Sequence, residues 1–178
     1  DYTSIAVTTD DSNDEIVYAS SMGDGVIQYK NGTPVQSYNE KNAFKETAGG
    51  YGSGYCYIDG LAFDKNGNLW MTSSEVNHAV LVLDKAGAWH RLDIEQLRGV
   101  YTINDILITS TNDKWIYVPR NTPKLVMIPN SESLDEVSSY EFTTLIDTDG
   151  KELTPSNYTC VAEDKDGYIW VGTNRGAV

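Results

Sequence analysis

One phrase of residues occurs twice, and it constrains the fold more than anything else in the chain. Residues 58–72 read Ile-Asp-Gly-Leu-Ala-Phe-Asp-Lys-Asn-Gly-Asn-Leu-Trp-Met-Thr, and residues 158–173 read Tyr-Thr-Cys-Val-Ala-Glu-Asp-Lys-Asp-Gly-Tyr-Ile-Trp-Val-Gly-Thr. Each copy alternates apolar and polar positions, breaks at an Asp/Gly turn and resumes around a tryptophan. That is the pattern of two short antiparallel strands joined tightly. Trp70 and Trp170 are 100 residues apart, too far for one repeat of this size and suited to two. Weaker copies are therefore expected, with Tyr18 and Tyr117 at the tryptophan position and a period of about 50 residues.

Each unit resolves into four short strands. Unit one reads as strands at 4–9, 15–20, 25–29 and 34–38, with Asn31-Gly32 as a hairpin turn. Unit two reads as 58–63, 69–73, 79–83 and 89–92, and unit three as 103–109, 115–118, 125–128 and 139–142. Unit four has its first two strands. The segment 94–98, closed by Gly99, has the length of a single helical turn. A four-stranded sheet buries both faces only when like sheets stack on either side. The expected fold is thus all-β: a partial β-propeller over residues 1–178, with about 3.5 four-stranded antiparallel blades of roughly 50 residues. The units fall near 4–45, 56–97, 102–146 and 157–178, the last incomplete. Because about 3.5 blades do not close a ring, the chain is expected to be a fragment, or to pair its open blade faces with another copy.

The charge balance narrows the partners. With 13 Lys+Arg against 26 Asp+Glu the net charge is −13, which disfavours nucleic acid and anionic membrane surfaces. No apolar run reaches the length of a spanning helix, so no membrane insertion is expected in this segment. Cys56 and Cys160 have no metal-ligand spacing, and the repeat register places them on innermost strands two units apart, which disfavours a bridge.

The run Ala162–Gly176, with its Asp/Gly turn, its tryptophan and the tail Gly172-Thr173-Asn174-Arg175-Gly176, resembles the two-component-regulator propeller repeat. That repeat builds the periplasmic sensor regions of hybrid two-component systems of Bacteroidetes. The order of features from Ala86-Gly87-Ala88-Trp89-His90 through Lys114-Trp115-Ile116-Tyr117-Val118-Pro119 to the last motif is also similar to the propeller component of the type IX secretion attachment complex. Both resemblances imply a periplasmic or cell-surface, outer-membrane-associated location. Both imply binding rather than catalysis, with an oligosaccharide or an envelope protein as partner. A ligand-sensing or receptor role is the first expectation, and a protein- or polysaccharide-binding part of the secretion complex is the alternative.

The chemistry-bearing residues fit that expectation. Asp64-Lys65-Asn66-Gly67-Asn68 with Glu75 downstream has the acids of a calcium loop but the wrong glycine position, and a turn with a glycine bulge accounts for it better. His78 and His90 are the only histidines, so no multi-histidine metal site is expected, and no cofactor motif occurs. Ser73, Ser74 and His78 lack a nucleophile elbow, and no enzymatic activity is expected of this segment. In a propeller, the loops between second and third strands and the connections between blades converge at one end. Those segments carry the candidate ligand-binding residues Tyr51, Tyr55, Glu75, Asn77, His78, Arg120, Asn121, Asn174 and Arg175. Tyrosines can stack on sugar faces, and arginines can pair with carboxylates or sulfates.

Overall fold

The computed structural model describes residues 2–44, 54–146 and 149–178. Blade one comprises β1 (Tyr2–Thr9), β2 (Glu15–Gly23), β3 (Gly25–Lys30) and β4 (Thr33–Tyr38). Blade two comprises β5 (Cys56–Phe63), β6 (Leu69–Ser73), β7 (Val80–Leu83) and β8 (Trp89–Leu92). A 3-10 turn, Glu95–Leu97, leads to blade three: β9 (Ile106–Ile108), β10 (Lys114–Val118), β11 (Lys124–Ile128) and β12 (Tyr140–Phe142). A small hairpin, β13 (Leu145–Ile146) with β14 (Glu152–Leu153), precedes blade four, which has β15 (Tyr158–Glu163), β16 (Ile169–Thr173) and the two-residue β17 (Gly176–Ala177). Within each blade, consecutive strands pair antiparallel, and the end of β2 also pairs with the start of β5. The fold is the expected all-β partial propeller. Neither the hairpin β13–β14 nor β17 was expected from the alternation pattern, because each strand has only two residues.

The turn joining first and second strands is built the same way four times. The amides of Asp10, Asp64, Thr109 and Asp164 donate to the carbonyls of Asp14, Asn68, Asp113 and Tyr168 at 2.9–3.0 Å. The residue before each acceptor, Asn13, Gly67, Asn112 or Gly167, is left-handed, with φ between +63° and +85°. Only Gly and Asn adopt that conformation cheaply. These shared turns set the register of the repeat and correct one expectation. Counting from each turn, the equivalents of Trp70 and Trp170 are Ile16 and Trp115, not Tyr18 and Tyr117. The two tyrosines lie one side-chain period further along the same face of their strands, which is why the pattern pointed to them.

Period-two alternation divides the core into three layers, one per blade interface. Ile16, Tyr18 and Val26 of blade one meet Leu69, Met71, Leu81 and Leu83 of blade two. Trp70, Val80 and Val82 turn to the opposite side and meet Ile106, Ile116, Val126 and Ile128 of blade three. Tyr117, Leu125 and the half-buried Trp115 meet Tyr158, Val171 and Ile169 of blade four. Hydroxyl groups stitch the same interfaces near the inner strands. Thr3 Oγ1 donates to the Ile58 carbonyl, Thr72 Oγ1 to the Asn104 carbonyl and Tyr117 Oη to the Thr159 carbonyl, at 2.6, 2.9 and 3.1 Å. Cys56 is buried at the start of β5, Cys160 is exposed on β15, and both are free thiols.

The acid that opens the strong turns also organises the tryptophan. Asp64 Oδ1 accepts the amides of Asn66 and Asn68, while Oδ2 accepts the Trp70 indole N–H at 2.9 Å. Asp164 repeats this with Asp166, Tyr168 and Trp170, the indole bond being 2.8 Å. The two tryptophans differ in what covers them. Trp70 is 1% exposed under blade three, whereas Trp170 is 51% exposed on the outer face of blade four. Trp70→Ala is therefore expected to cost about 3–5 kcal/mol in chemical denaturation, and Trp170→Ala less than about 1 kcal/mol. Equal losses at both positions would show that the indoles do not act through burial between blades.

Candidate functional site

First strands run from the inter-blade connections toward the Asp/Gly turns, so each blade presents its second-to-third loop and its incoming connection at one common end. At that end the first residues of β5 and the loop after β6 form an aromatic and acidic surface. The rings of Tyr55 and Tyr57 meet edge to face, centroids 6.3 Å apart. Tyr55 packs over Gly23, whose φ of +122° and lack of a Cβ make room for the ring. Burial raises the Tyr57 phenol, and the neighbouring Asp59, Tyr55, Tyr101 and Glu75 raise it further.

Two carboxyl groups belong to this surface. Asp59 lies on the inner strand β5, and burial pushes it up to about 7 against the opposing effect of a hydrogen bond from Ser74 Oγ at 2.7 Å. The same Ser74 hydroxyl accepts the Ile103 amide at 2.8 Å, so the loop after β6 is tied to the entry of blade three. Gly60 lets the chains approach here, because a Cβ on it would lie 2.8–2.9 Å from Ile106 N and Asp105 Cα. Asp105 is raised by burial as well. Glu75 sits at the tip of the loop after β6 in a left-handed conformation, φ +62°, its amide donating to the Val100 carbonyl at 2.8 Å. Its Oε1 is buried and makes no hydrogen bond.

The structure distributes the residues singled out by sequence over separate places. Tyr55 and Glu75 belong to the surface just described, with Asn77 and His78 following Glu75 in the same loop. Arg120 and the left-handed Asn121 line a second depression of about 440 Å³ with Glu95, Arg98, Tyr101 and Lys124. Arg98 there is paired in bidentate fashion with Asp93, both contacts 2.6 Å, and Lys124 with Glu141 at 2.8 Å. Arg175 lies against the β13–β14 hairpin in a third hollow of about 310 Å³, with Leu145, Ile146, Leu153 and Val178. Asn174 holds its own loop, accepting the Ser156 amide on Oδ1 at 3.0 Å and donating its amide to the Asn157 carbonyl at 3.2 Å. Tyr51 lies outside the described residues. Tyr57 and Asp59 were not singled out by sequence. The available signal was their period-two spacing at the start of β5, which puts both on the face that also sees Glu75.

Among the described residues, no group of three or more His, Cys, Asp or Glu is arranged to hold a metal ion. The Asp64 carboxylate, the acid of the calcium-loop reading, is taken up by turn amides and an indole. Among the described residues, no helix is long and apolar enough to cross a membrane.

A chain of stacked antiparallel blades belongs to the propeller class, and comparison with known proteins agrees. Residues 152–175, which hold the β15–turn–β16 motif, match the two component regulator propeller family. By sequence, no curated protein matches the chain. Among solved structures, the chain superposes on PorZ, described as an essential surface component of the type-IX secretion system of Porphyromonas gingivalis, with TM-score 0.85 and 19% identity. It also superposes on the extracellular domains of two hybrid two component systems of B. thetaiotaomicron, BT4673 (TM-score 0.65, 16% identity) and BT3049 (TM-score 0.59, 19% identity). These matches cover 96–97% of this chain but 24% of the PorZ chain, 21% of BT4673 and 20% of BT3049.

The raised carboxyl has a thermodynamic signature. A folded-state value above the unfolded one means that the folded chain binds more protons, so stability is lost as pH rises from about 4 through about 7. Asp59→Asn is expected to flatten that slope and to make the chain more stable than wild type at pH 8. Denaturant midpoints at pH 5 and pH 8 check this, and an unchanged slope would mean that Asp59 is not the group responsible.

Proposed function

We propose that the chain is a non-catalytic, extracytoplasmic propeller section that binds a glycan or peptide ligand at its loop end, in the manner of a sensor ectodomain. The observation that carries this reading is the convergence of Tyr55, Tyr57, Tyr101, Asp59 and Glu75, with one Glu75 oxygen buried and lacking a donor. A buried acceptor without a partner is costly, and a ligand hydroxyl or amide would satisfy it. Flanking rings offer stacking area for a sugar face. The regulator-propeller match at residues 152–175 and the superposition on sensor extracellular domains support the sensor class. The acidic balance favours neutral over anionic ligands.

A second reading has its own support. The superposition on PorZ has a TM-score of 0.85, against 0.65 and 0.59 for the sensor domains. On that reading the chain is part of a secretion-complex component, and its loop end contacts a protein or a polysaccharide.

Calorimetric titration of the chain with a panel of neutral oligosaccharides and short peptides tests the first reading. Binding is expected for at least one of them, with Glu75→Gln and Tyr101→Ala each weakening it by about tenfold, the loss of one good hydrogen bond or stacking contact. Binding that survives both substitutions would place the ligand elsewhere. No binding across the panel would favour the second reading.

A further inference from the structure

At their turn ends the blades are tied by one backbone amide, that of the residue after each turn opener: Asp11, Lys65 or Ser110. The Lys65 amide donates across the interface to Asn112 Oδ1 at 2.9 Å, and the Ser110 amide donates to Glu163 Oε2 at 2.6 Å. Each acceptor has a defined place in the following blade. Asn112 is the left-handed turn residue of blade three, and Glu163 is the last residue of the first strand of blade four. Blade two has Gly67 and Phe63 at those two places, and neither carries an acceptor in its side chain. The Asp11 amide therefore has no acceptor among the described residues.

Where that tie is missing, the interface opens. A cleft of about 510 Å³ lies between blades one and two, and Asp11, Gly67 and Phe63 all line it. Its lining also holds Tyr18, whose ring meets Phe63 edge to face with centroids 5.8 Å apart. These two rings end an aromatic row that runs back through Tyr38 and Trp89 to Phe44. Gln28 is a second open donor in the lining. Its Oε1 accepts the Tyr38 hydroxyl at 3.0 Å, and its Nε2 has no acceptor among the described residues. The charges around the cleft are Asp10, Asp11 and Asp84 against Lys30 and Lys85. Lys30 is already shared by Asp10 and Asp14, at 2.7 and 2.8 Å.

We infer that this cleft is a second ligand site, at the opposite end of the blades from the tyrosine surface, and that it takes a neutral aromatic amide. The ring of such a ligand extends the Tyr18–Phe63 row, where an edge-to-face partner is favoured. Its carbonyl oxygens accept from the Asp11 amide and the Gln28 carboxamide, as Asn112 and Glu163 accept from the equivalent amides at the other two interfaces. The surplus of carboxylates excludes an anionic ligand of the same shape.

N-acetylphenylalanine amide is the probe, followed by proton–nitrogen correlation NMR of the chain. Saturable shifts are expected at the Asp11 backbone amide and the Gln28 side-chain amide. Asp11→Pro removes the N–H at a turn position that favours proline. Read at Gln28, it is expected to weaken binding about tenfold, the worth of one good hydrogen bond. Asp11→Ala keeps the N–H and is expected to bind as the wild type does. Gly67→Asn supplies the side chain that Asn112 supplies in blade three. Asn tolerates the left-handed conformation, and a Cβ here comes no closer than 3.4 Å to Lys85. This variant is expected to engage the Asp11 amide and to weaken binding about tenfold as well. The two weakening substitutions act on different residues, so either one decides should the other fail to fold. Absence of saturable shifts at the two amides, unchanged affinity in a folded Asp11→Pro or Gly67→Asn chain, or an equal loss in Asp11→Ala overturns the assignment. Phenylacetate binding as tightly as the neutral probe overturns the ligand class.

Discussion

Everything in this fold depends on covering both faces of a very thin sheet. In blades one to three, four strands of three to nine residues present an apolar row on each side, and neither row can be left wet without loss of stability. The chain meets this by alternating strictly: Leu69, Met71, Leu81 and Leu83 serve the preceding interface, while Trp70, Val80 and Val82 serve the following one. Each blade is thus half of two different cores. The shared turns hold the alternation in phase, because a slip of one residue would exchange the two rows.

At the joint of blades two and three, buried charged groups sit where the geometry supplies partners. Asp64 is buried because three turn and side-chain donors and an indole surround its carboxylate, and the Lys114 ammonium is received by a carbonyl and a ring face, desolvation pushing its pKa down and the Asp64 charge partly opposing that. Asp59 is the contrasting case. Burial raises it toward neutrality, and only hydrogen bonds from the Ser74 hydroxyl and backbone oppose this, with no cation among the causes of the shift. Proteins place such groups where a ligand or a conformational change can answer them, and it lies beside the loop-end tyrosines.

The sequence made the architecture legible wherever the turn kept its strong form. Asp64 with Gly67 and Asp164 with Gly167 gave blades two and four directly, and the strand limits at 69–73 and 89–92 hold to the residue. In blade three the turn opens with Thr109 and uses Asn112 for the left-handed residue, so nothing fixed the phase. Tyr117 then stood in for Trp115, an error that keeps the same face and moves two places along it. The candidate site was less legible, because Asp59 and Tyr57 matter through what they meet in the loop after β6 and the connection to blade three. Nothing local marks a carboxyl whose hydrogen-bond partner, Ser74, stands 15 residues further along the chain. Arg120 and Arg175 were read as partners of one site because their loops share an end, but the blades carry them to different hollows.

The three interface cores are arranged in series, each shared by neighbours alone. A molecule of this kind behaves as a linear array, with cooperativity running from one contact to the next rather than through a common centre. Its two outer faces expose Ile5 and Val7 on one side and Trp170 on the other. Fraying is therefore cheapest at the terminal units and dearest around β6 and β7, whose residues belong to two cores at once.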